Sequence, residues 1–200
     1  LRRQRQMCIR DSYETLDLMG PVEFLARVPG INLNFVSFNG KAIKSKQGFE
    51  VKTKKLVTLP KNSILLVPGG QGTRILVKDN EFISHLKECV LASNFCLSVC
   101  TGSALLARAE VLDGLKATSN KKSFEWVKQC RDAVKWQSHA RWVKDDKFYT
   151  ASGVAAGMDM ALGFISDHFG KELAQSIANE TEYNWQKSAK IDKFTKIYGH

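Results

Sequence analysis

The sequence predicts an α/β fold, a mostly parallel sheet with helices on both faces. Three observations carry this. Strand-like and helix-like stretches alternate along the chain. Ile64-Leu65-Leu66-Val67 is a short unbroken apolar run, as expected for a strand covered on both faces. Phe95 to Val99 then passes through Cys100-Thr101-Gly102 into a small-residue helix, and the carboxyl ends of strands in open α/β sheets are where ligands bind.

The elements follow in order. Leu16 to Ala26 reads as a helix with Leu16, Met19, Val22 and Leu25 near one face, ended by Pro29-Gly30. Leu33 to Phe38 reads as a buried strand. Phe49 to Thr58 is polar and β-rich, the pattern of an edge hairpin. The strand Ile64–Val67 runs into Pro68-Gly69-Gly70. Asn80 to Ala92 is amphipathic, with Phe82, Ile83, Leu86, Cys89 and Val90 at helical spacing. Phe95 to Val99 is the next strand and Ser103 to Ala109 the next helix. Ser123 to Cys130 is helical. Arg141 to Val143 and Phe148 to Thr150 form a strand pair around Asp145-Asp146. Two helices close the chain, Ala155 to Phe169 and Lys171 to Trp185.

The chain has 200 residues, 44% of them hydrophobic and 25% charged, which suits one globular domain with a real core. No apolar run approaches the ~20 residues of a membrane-spanning helix, and no secretory signal is evident. A cytoplasmic protein with no membrane partner is the expectation. Leu1 to Ser12 is basic and lacks strand or helix periodicity, and Met7-Cys8-Ile9-Arg10-Asp11-Ser12 looks like a translated sequencing-adapter end. Residues 1–12 are therefore expected to be a non-native leader outside the fold, and residues 13–200 a single domain. Setting Leu1–Asp11 aside removes four arginines and one aspartate, which takes the net charge from +10 to +7. The remaining positive charge is dispersed, without a stripe of interleaved aromatics, so nucleic acid is not an expected partner. Cys89, Cys96 and Cys130 fall among apolar residues, as small buried hydrophobes do. No cysteine or histidine spacing suggests zinc.

Chemistry concentrates at Cys100. A nucleophile on a sharp strand-to-helix turn projects from the edge of the sheet, and Gly102, Ser103 and Ala104 leave it room. The following helix offers free N–H groups and a positive dipole end, so a lowered thiol pKa is expected. Gly69-Gly70 allows close backbone approach and could aim N–H groups at developing negative charge. Asp17 could be an ordinary helix-start charge or a carboxyl that exchanges a proton with Cys100, and Glu14 and Glu23 compete for that part.

Taken jointly, Leu16-Asp17-Leu18-Met19-Gly20-Pro21-Val22-Glu23, Val67-Pro68-Gly69-Gly70, Val99-Cys100-Thr101-Gly102-Ser103, Ala117-Thr118-Ser119-Asn120 and Ser152-Gly153-Val154-Ala155-Ala156-Gly157 resemble the ThiJ/PfpI superfamily, of class I glutamine amidotransferase-like type. The likeness runs from Tyr13 to about Trp185 and is greatest to the isocyanide hydratase-like branch, which has a Cys-Thr-Gly turn and an aspartate at the position of Asp17. The resemblance implies a flavodoxin-like sandwich and a homodimer. It implies a reactive Cys100 bonded to Asp17 and an oxyanion pocket from the N–H groups of Gly70 and Thr101. Gly69, Asn120, Ser152 and Gly153 would line the pocket for a small-molecule substrate, with no cofactor and no metal.

The departures narrow the chemistry. Thr101 follows Cys100 where PfpI-type peptidases carry histidine, and Asn120 stands where other members place histidine nearby. His85, His139, His168 and His200 read as surface or structural residues. A Cys-His-acid triad is not evident, which disfavours proteolysis and amidotransfer. The first strand of such proteins precedes the acidic residue; here it is missing or replaced by the leader. The leading expectation is hydration of an isocyanide to an N-substituted formamide. The alternatives are glyoxalase- or deglycase-like action on 2-oxoaldehydes, and redox sensing through Cys100.

Overall fold

The computed structural model describes residues 3–8, 11–57, 59–60 and 62–200, the first six as backbone only. The elements run β1 (Arg3–Cys8), α1 (Thr15–Leu25), β2 (Ile31–Ser37), β3 (Ile43–Lys44), β4 (Glu50–Val51), β5 (Lys54–Lys55), β6 (Ile64–Val67), α2 (Thr73–Leu76), α3 (Asn80–Ala92), β7 (Phe95–Val99) and α4 (Gly102–Arg108). There follow β8 (Lys116–Ala117), α5 (Phe124–Cys130), β9 (Lys135–Trp136), β10 (Trp142–Asp145), β11 (Phe148–Ala151), α6 (Ala156–Phe169), α7 (Lys171–Glu180) and α8 (Phe194–Ile197).

The main sheet has the order β10-β11-β7-β6-β1-β2-β5. All its pairings are parallel except the β10–β11 hairpin. Successive side chains of a strand point to opposite faces, and the packing follows that parity. Ile64 and Leu66 of β6, with Leu97 and Val99 of β7, face a core shared with α1, α6 and α7. Leu65, Val67 and Cys96 face a second core built with α3 and α4. The three-layer sandwich is therefore already present in the apolar runs of β6 and β7.

Three expectations need correction, and one element is new. The leader is not outside the fold: Arg3–Cys8 pairs with β2 on one side and β6 on the other. Its Arg-Gln-Arg-Gln stretch carries no apolar strand signal, so the strand follows from pairing with partners distant in sequence. Leu1, Arg2, Ile9 and Arg10 lie outside the described residues. The segment 49–58 is not one hairpin. β4 pairs antiparallel with β3, while β5 joins the edge of the main sheet beside β2; Thr58 lies outside the described residues. The last predicted helix stops at Glu180 rather than at Trp185. Glu182 turns left-handed (φ +48°), and the Tyr183 N–H donates to Ala178 O at 2.8 Å, a C-terminal cap that reverses the chain. Finally, β8 and β9 form a small parallel pair that the sequence did not suggest.

Candidate functional site

Cys100 follows β7 and is held in the left-handed region, φ +57°. That conformation costs about 1–3 kcal/mol for a non-glycine residue and persists only where its surroundings over-determine it. Here they do. The Cys100 N–H donates to Ser152 O at 2.9 Å and Ala151 O at 3.2 Å. Its carbonyl accepts from Ser119 Oγ at 2.8 Å and Ser103 Oγ at 3.2 Å. The thiol therefore leaves the sheet on a backbone that hydrogen bonds fix from both sides. Ser119, in the Ala117–Asn120 stretch, braces the turn from a position that no local sequence signal marks.

Asp17 comes to this turn from the first turn of α1 and is fully buried. Its Oδ2 accepts the Gly69 N–H at 2.9 Å. A β-carbon placed on Gly69 would lie 2.8 Å from Asp17 Oδ2, 2.9 Å from Cys100 Cβ and 2.6 Å from the Thr101 nitrogen. Gly69 is thus the point around which the Asp17 carboxylate, the Cys100 side chain and the Thr101 amide converge, and any side chain there would separate them. Of the competing carboxylates, Glu14 still acts on Cys100 through its charge, more weakly than Asp17. Glu23 pairs with Arg27 on the surface, and Glu14 receives Gln47 Nε2 at 2.5 Å.

Of the two amides expected to form an oxyanion pocket, Gly70 takes a different part. Its N–H donates to Thr101 Oγ1 at 3.1 Å, and its own φ is +118°. The Thr101 hydroxyl also accepts from Thr73 Oγ1 at 3.0 Å, a contact the sequence reading missed. Thr101 is the amide that faces the sulfur, and both its N–H and its hydroxyl favour the thiolate.

The expected low thiol pKa is corrected. Cys100 is only 7% exposed. Burial pushes its pKa well above the ordinary thiol value, and the neighbouring Asp17 charge pushes it further; the Thr101 donors pull it back only in part. Desolvation and like charge outweigh a seven-residue helix.

Asn120, Ser152 and Gly153 share a cavity of about 280 Å³, and Gly69 is not among the residues lining it. Three histidines are engaged at other places: His85 with Leu56 O, His168 with Tyr149 Oη and His200 with Lys121 O. His139 is exposed. Cys89, Cys96 and Cys130 carry free thiols, the first two buried. Among the described residues, no group of three or more His, Cys, Asp or Glu side chains is placed to hold a metal, and no helix is long and apolar enough to cross a membrane.

The sequence pattern of the DJ-1/PfpI family matches residues 6–167. The chain belongs to the DJ-1/PfpI family. The match begins inside the segment set aside as a leader, in keeping with the position of β1. The isonitrile hydratase of Pseudomonas putida is 29% identical over 171 residues, covering 85% of this chain and 74% of that one. The protein/nucleic acid deglycase 2 of Escherichia coli is 28% identical over 117 residues, 56% of this chain and 68% of that one. The crystal structure of a ThiJ/PfpI family protein from Pseudomonas syringae superposes with a TM-score of 0.81 at 25% identity, over 91% of this chain and 75% of that one. This DJ-1/PfpI chain therefore shares its sandwich with solved relatives, and its Cys100 turn lies within the matched region.

Proposed function

We propose that this DJ-1/PfpI protein is a hydratase that adds water to an isocyanide and releases an N-substituted formamide. The observation that carries the reading is the meeting of Cys100 with the buried Asp17 carboxyl, rather than a histidine, around Gly69. The likeness to isonitrile hydratase supports it.

The chemistry follows from one proton shared by two acids. The Cys100 sulfur attacks the terminal isocyanide carbon, and the proton held by the Cys100–Asp17 pair passes to that carbon. The product is a thioimidate, R–N=CH–S–Cys100, with Asp17 now a carboxylate. Asp17 then takes a proton from water as its oxygen adds to the carbon, and returns that proton to nitrogen. Collapse of the R–NH–CH(OH)–S adduct expels the Cys100 sulfur and transfers the hydroxyl proton back to the pair, giving R–NH–CHO. The Thr101 N–H and hydroxyl stabilise the sulfur anion as it forms and leaves.

Assay of an aryl isocyanide tests this directly: formamide should appear with the parent and vanish with Cys100→Ala. A parent that makes no formamide, or a Cys100→Ala variant as active as the parent, overturns the reading. A second reading, deglycase-like action on 2-oxoaldehydes, draws on the likeness to the Escherichia coli deglycase; the same preparations turning over methylglyoxal but not isocyanide would select it. The burial and raised pKa of Cys100 weigh against redox sensing. A cytoplasmic homodimer is part of the proposal, and sedimentation of the purified chain tests the dimer.

A further inference from the structure

We propose that Lys121 is a positioning residue for Cys100: its ammonium clamps together the two chain segments that hold the backbone of the nucleophile. The inference rests on Cys100 as the nucleophile of the hydratase reading, and it adds a residue that acts through others. Lys121 follows the Ala117–Asn120 stretch and is only 2% exposed. A charge so placed loses its hydration, and an ion pair often fails to recover that cost. Stability alone is thus a poor reason for a buried cation, and what the ammonium holds becomes the question.

The first segment holds the Cys100 carbonyl, to which Ser119 Oγ donates at 2.8 Å. That segment is itself tied at two points. The Thr118 N–H donates to Thr150 Oγ1 of β11 at 2.9 Å. Lys121 Nζ donates to Thr118 Oγ1 at 2.8 Å and to Ser119 O at 3.4 Å. The second segment holds the Cys100 N–H. That N–H donates to Ser152 O at 2.9 Å, and the Ser152 N–H donates to Arg141 O at 2.8 Å. Lys121 Nζ reaches this segment as well, donating to Ala140 O at 2.7 Å. One ammonium therefore joins the residue that braces the carbonyl to the strand entry that braces the N–H. Cys100 keeps its left-handed φ of +57° only while such braces persist.

The clamp depends on the proton count. An ammonium has three protons and no acceptor, and Thr118 Oγ1, Ala140 O and Ser119 O take all three. The neutral amine has two protons and a lone pair, so deprotonation leaves one oxygen without a donor. The longest of the three bonds, to Ser119 O, is the one to yield. The charged neighbours set where this happens. Asp192 Oδ2 stands 4.0 Å from Nζ and favours the charged form. Arg141, itself paired with Asp159 at 2.6 Å, opposes it. Phe124 turns its ring to Nζ at 5.3 Å, and His200, beside Glu125, meets the Lys121 carbonyl rather than the ammonium. Burial outweighs Asp192 and brings the Lys121 pKa to about 8. The clamp is closed below that pH and loosened above it.

Alkylation of Cys100 by iodoacetamide, followed across pH by mass spectrometry of the Cys100 peptide, reads the clamp without any isocyanide. The thiolate attacks and the Cys100 pKa is raised, so the rate should climb about tenfold per pH unit. In the parent that climb should bend down by about fivefold as the pH passes about 8, the weight of one net hydrogen bond. Ser119→Ala should abolish the bend while pH-dependent denaturation still shows Lys121 titrating, because it cuts the link and leaves the lysine. Lys121→Met should abolish both. Should Lys121→Met not fold, Asp192→Asn answers in its place: loss of the carboxylate lowers the Lys121 pKa, so the bend should move to lower pH. A climb that runs straight past pH 8 in the parent overturns the proposal. So does a bend that persists in Ser119→Ala or Lys121→Met, or one that Asp192→Asn leaves in place. The expected bends in a chain that makes no formamide support the clamp and sink the hydratase reading alone.

Discussion

Asp17 and Asp159 are the same residue in the same kind of place, and they have different neighbours. Each lies early in a helix and each is fully buried. Asp159 is locked. Its Oδ2 meets Arg141, and its Oδ1 accepts from Tyr183 Oη at 3.0 Å and the Gln186 N–H at 2.9 Å. Those bonds tie the segment after α7 back to α6. Asp17 meets the Gly69 N–H and presses its charge on a thiol, a neighbour that can itself gain or lose a proton. Burial makes both carboxylates costly. The neighbour sets the two apart: Asp159 meets a guanidinium and two further donors, and Asp17 lies beside a titratable thiol.

The largest test of that contrast is Asp17→Asn. Isocyanide hydration should fall about 10²–10⁴-fold, the usual weight of a positioned acid–base group. Removing the charge should also lower the Cys100 pKa, since Asp17 raises it, and ultraviolet titration of the thiolate would read the shift. An unchanged rate and unchanged titration would erase the distinction between the two aspartates. The mirror experiment is Asp159→Asn. Leaving Arg141 buried without its partner should cost about 3–5 kcal/mol in denaturant unfolding while kcat/KM stays close to the parent.

Lys121 extends the comparison to a buried cation. Burial lowers its pKa to about 8, against the pull of Asp192. Between pH 8 and the ordinary lysine value the unfolded chain binds the proton and the folded chain does not, so this group makes stability rise with pH over that window. The gain is of order 3 kcal/mol, and it should vanish in Lys121→Met, as pH-dependent denaturation would show. The smallest change is Gly69→Ala. Its methyl would crowd Asp17 Oδ2 and Cys100 Cβ, costing about 1–3 kcal/mol of stability. The rate should fall with it, because the added group parts the carboxyl from the sulfur; full activity would mean that the pair acts at a distance.

Much of the fold was legible because its signals are local. The four apolar residues of β6, the amphipathic period of α3 and the Cys100-Thr101-Gly102 turn each read correctly within a few residues. The errors have a common source in partners far away in sequence. The basic residues of β1 become strand only by lying between β2 and β6. The end of α7 depends on a left-handed Glu182 that no propensity marks.

The site divides in the same way. Cys100 and Gly69 stood out as residue types at turns, and Asp17 was one of three candidate carboxylates. Position along a chain states what a group is, and it does not state how far that group is from water. The depth that raises the Cys100 pKa, the commitment of the Gly70 N–H to Thr101 and the choice of Asp17 over Glu14 and Glu23 are tertiary facts. They depend on how α1, the Gly69-Gly70 turn and the end of β7 stack, and each alters an energy through desolvation or a hydrogen bond. The sequence by itself determined the strand-to-helix turn that carries Cys100 and the sandwich around it, through local patterns of burial and turn chemistry. Only the tertiary structure decided which acid lies beside Cys100 and how deeply the two are buried.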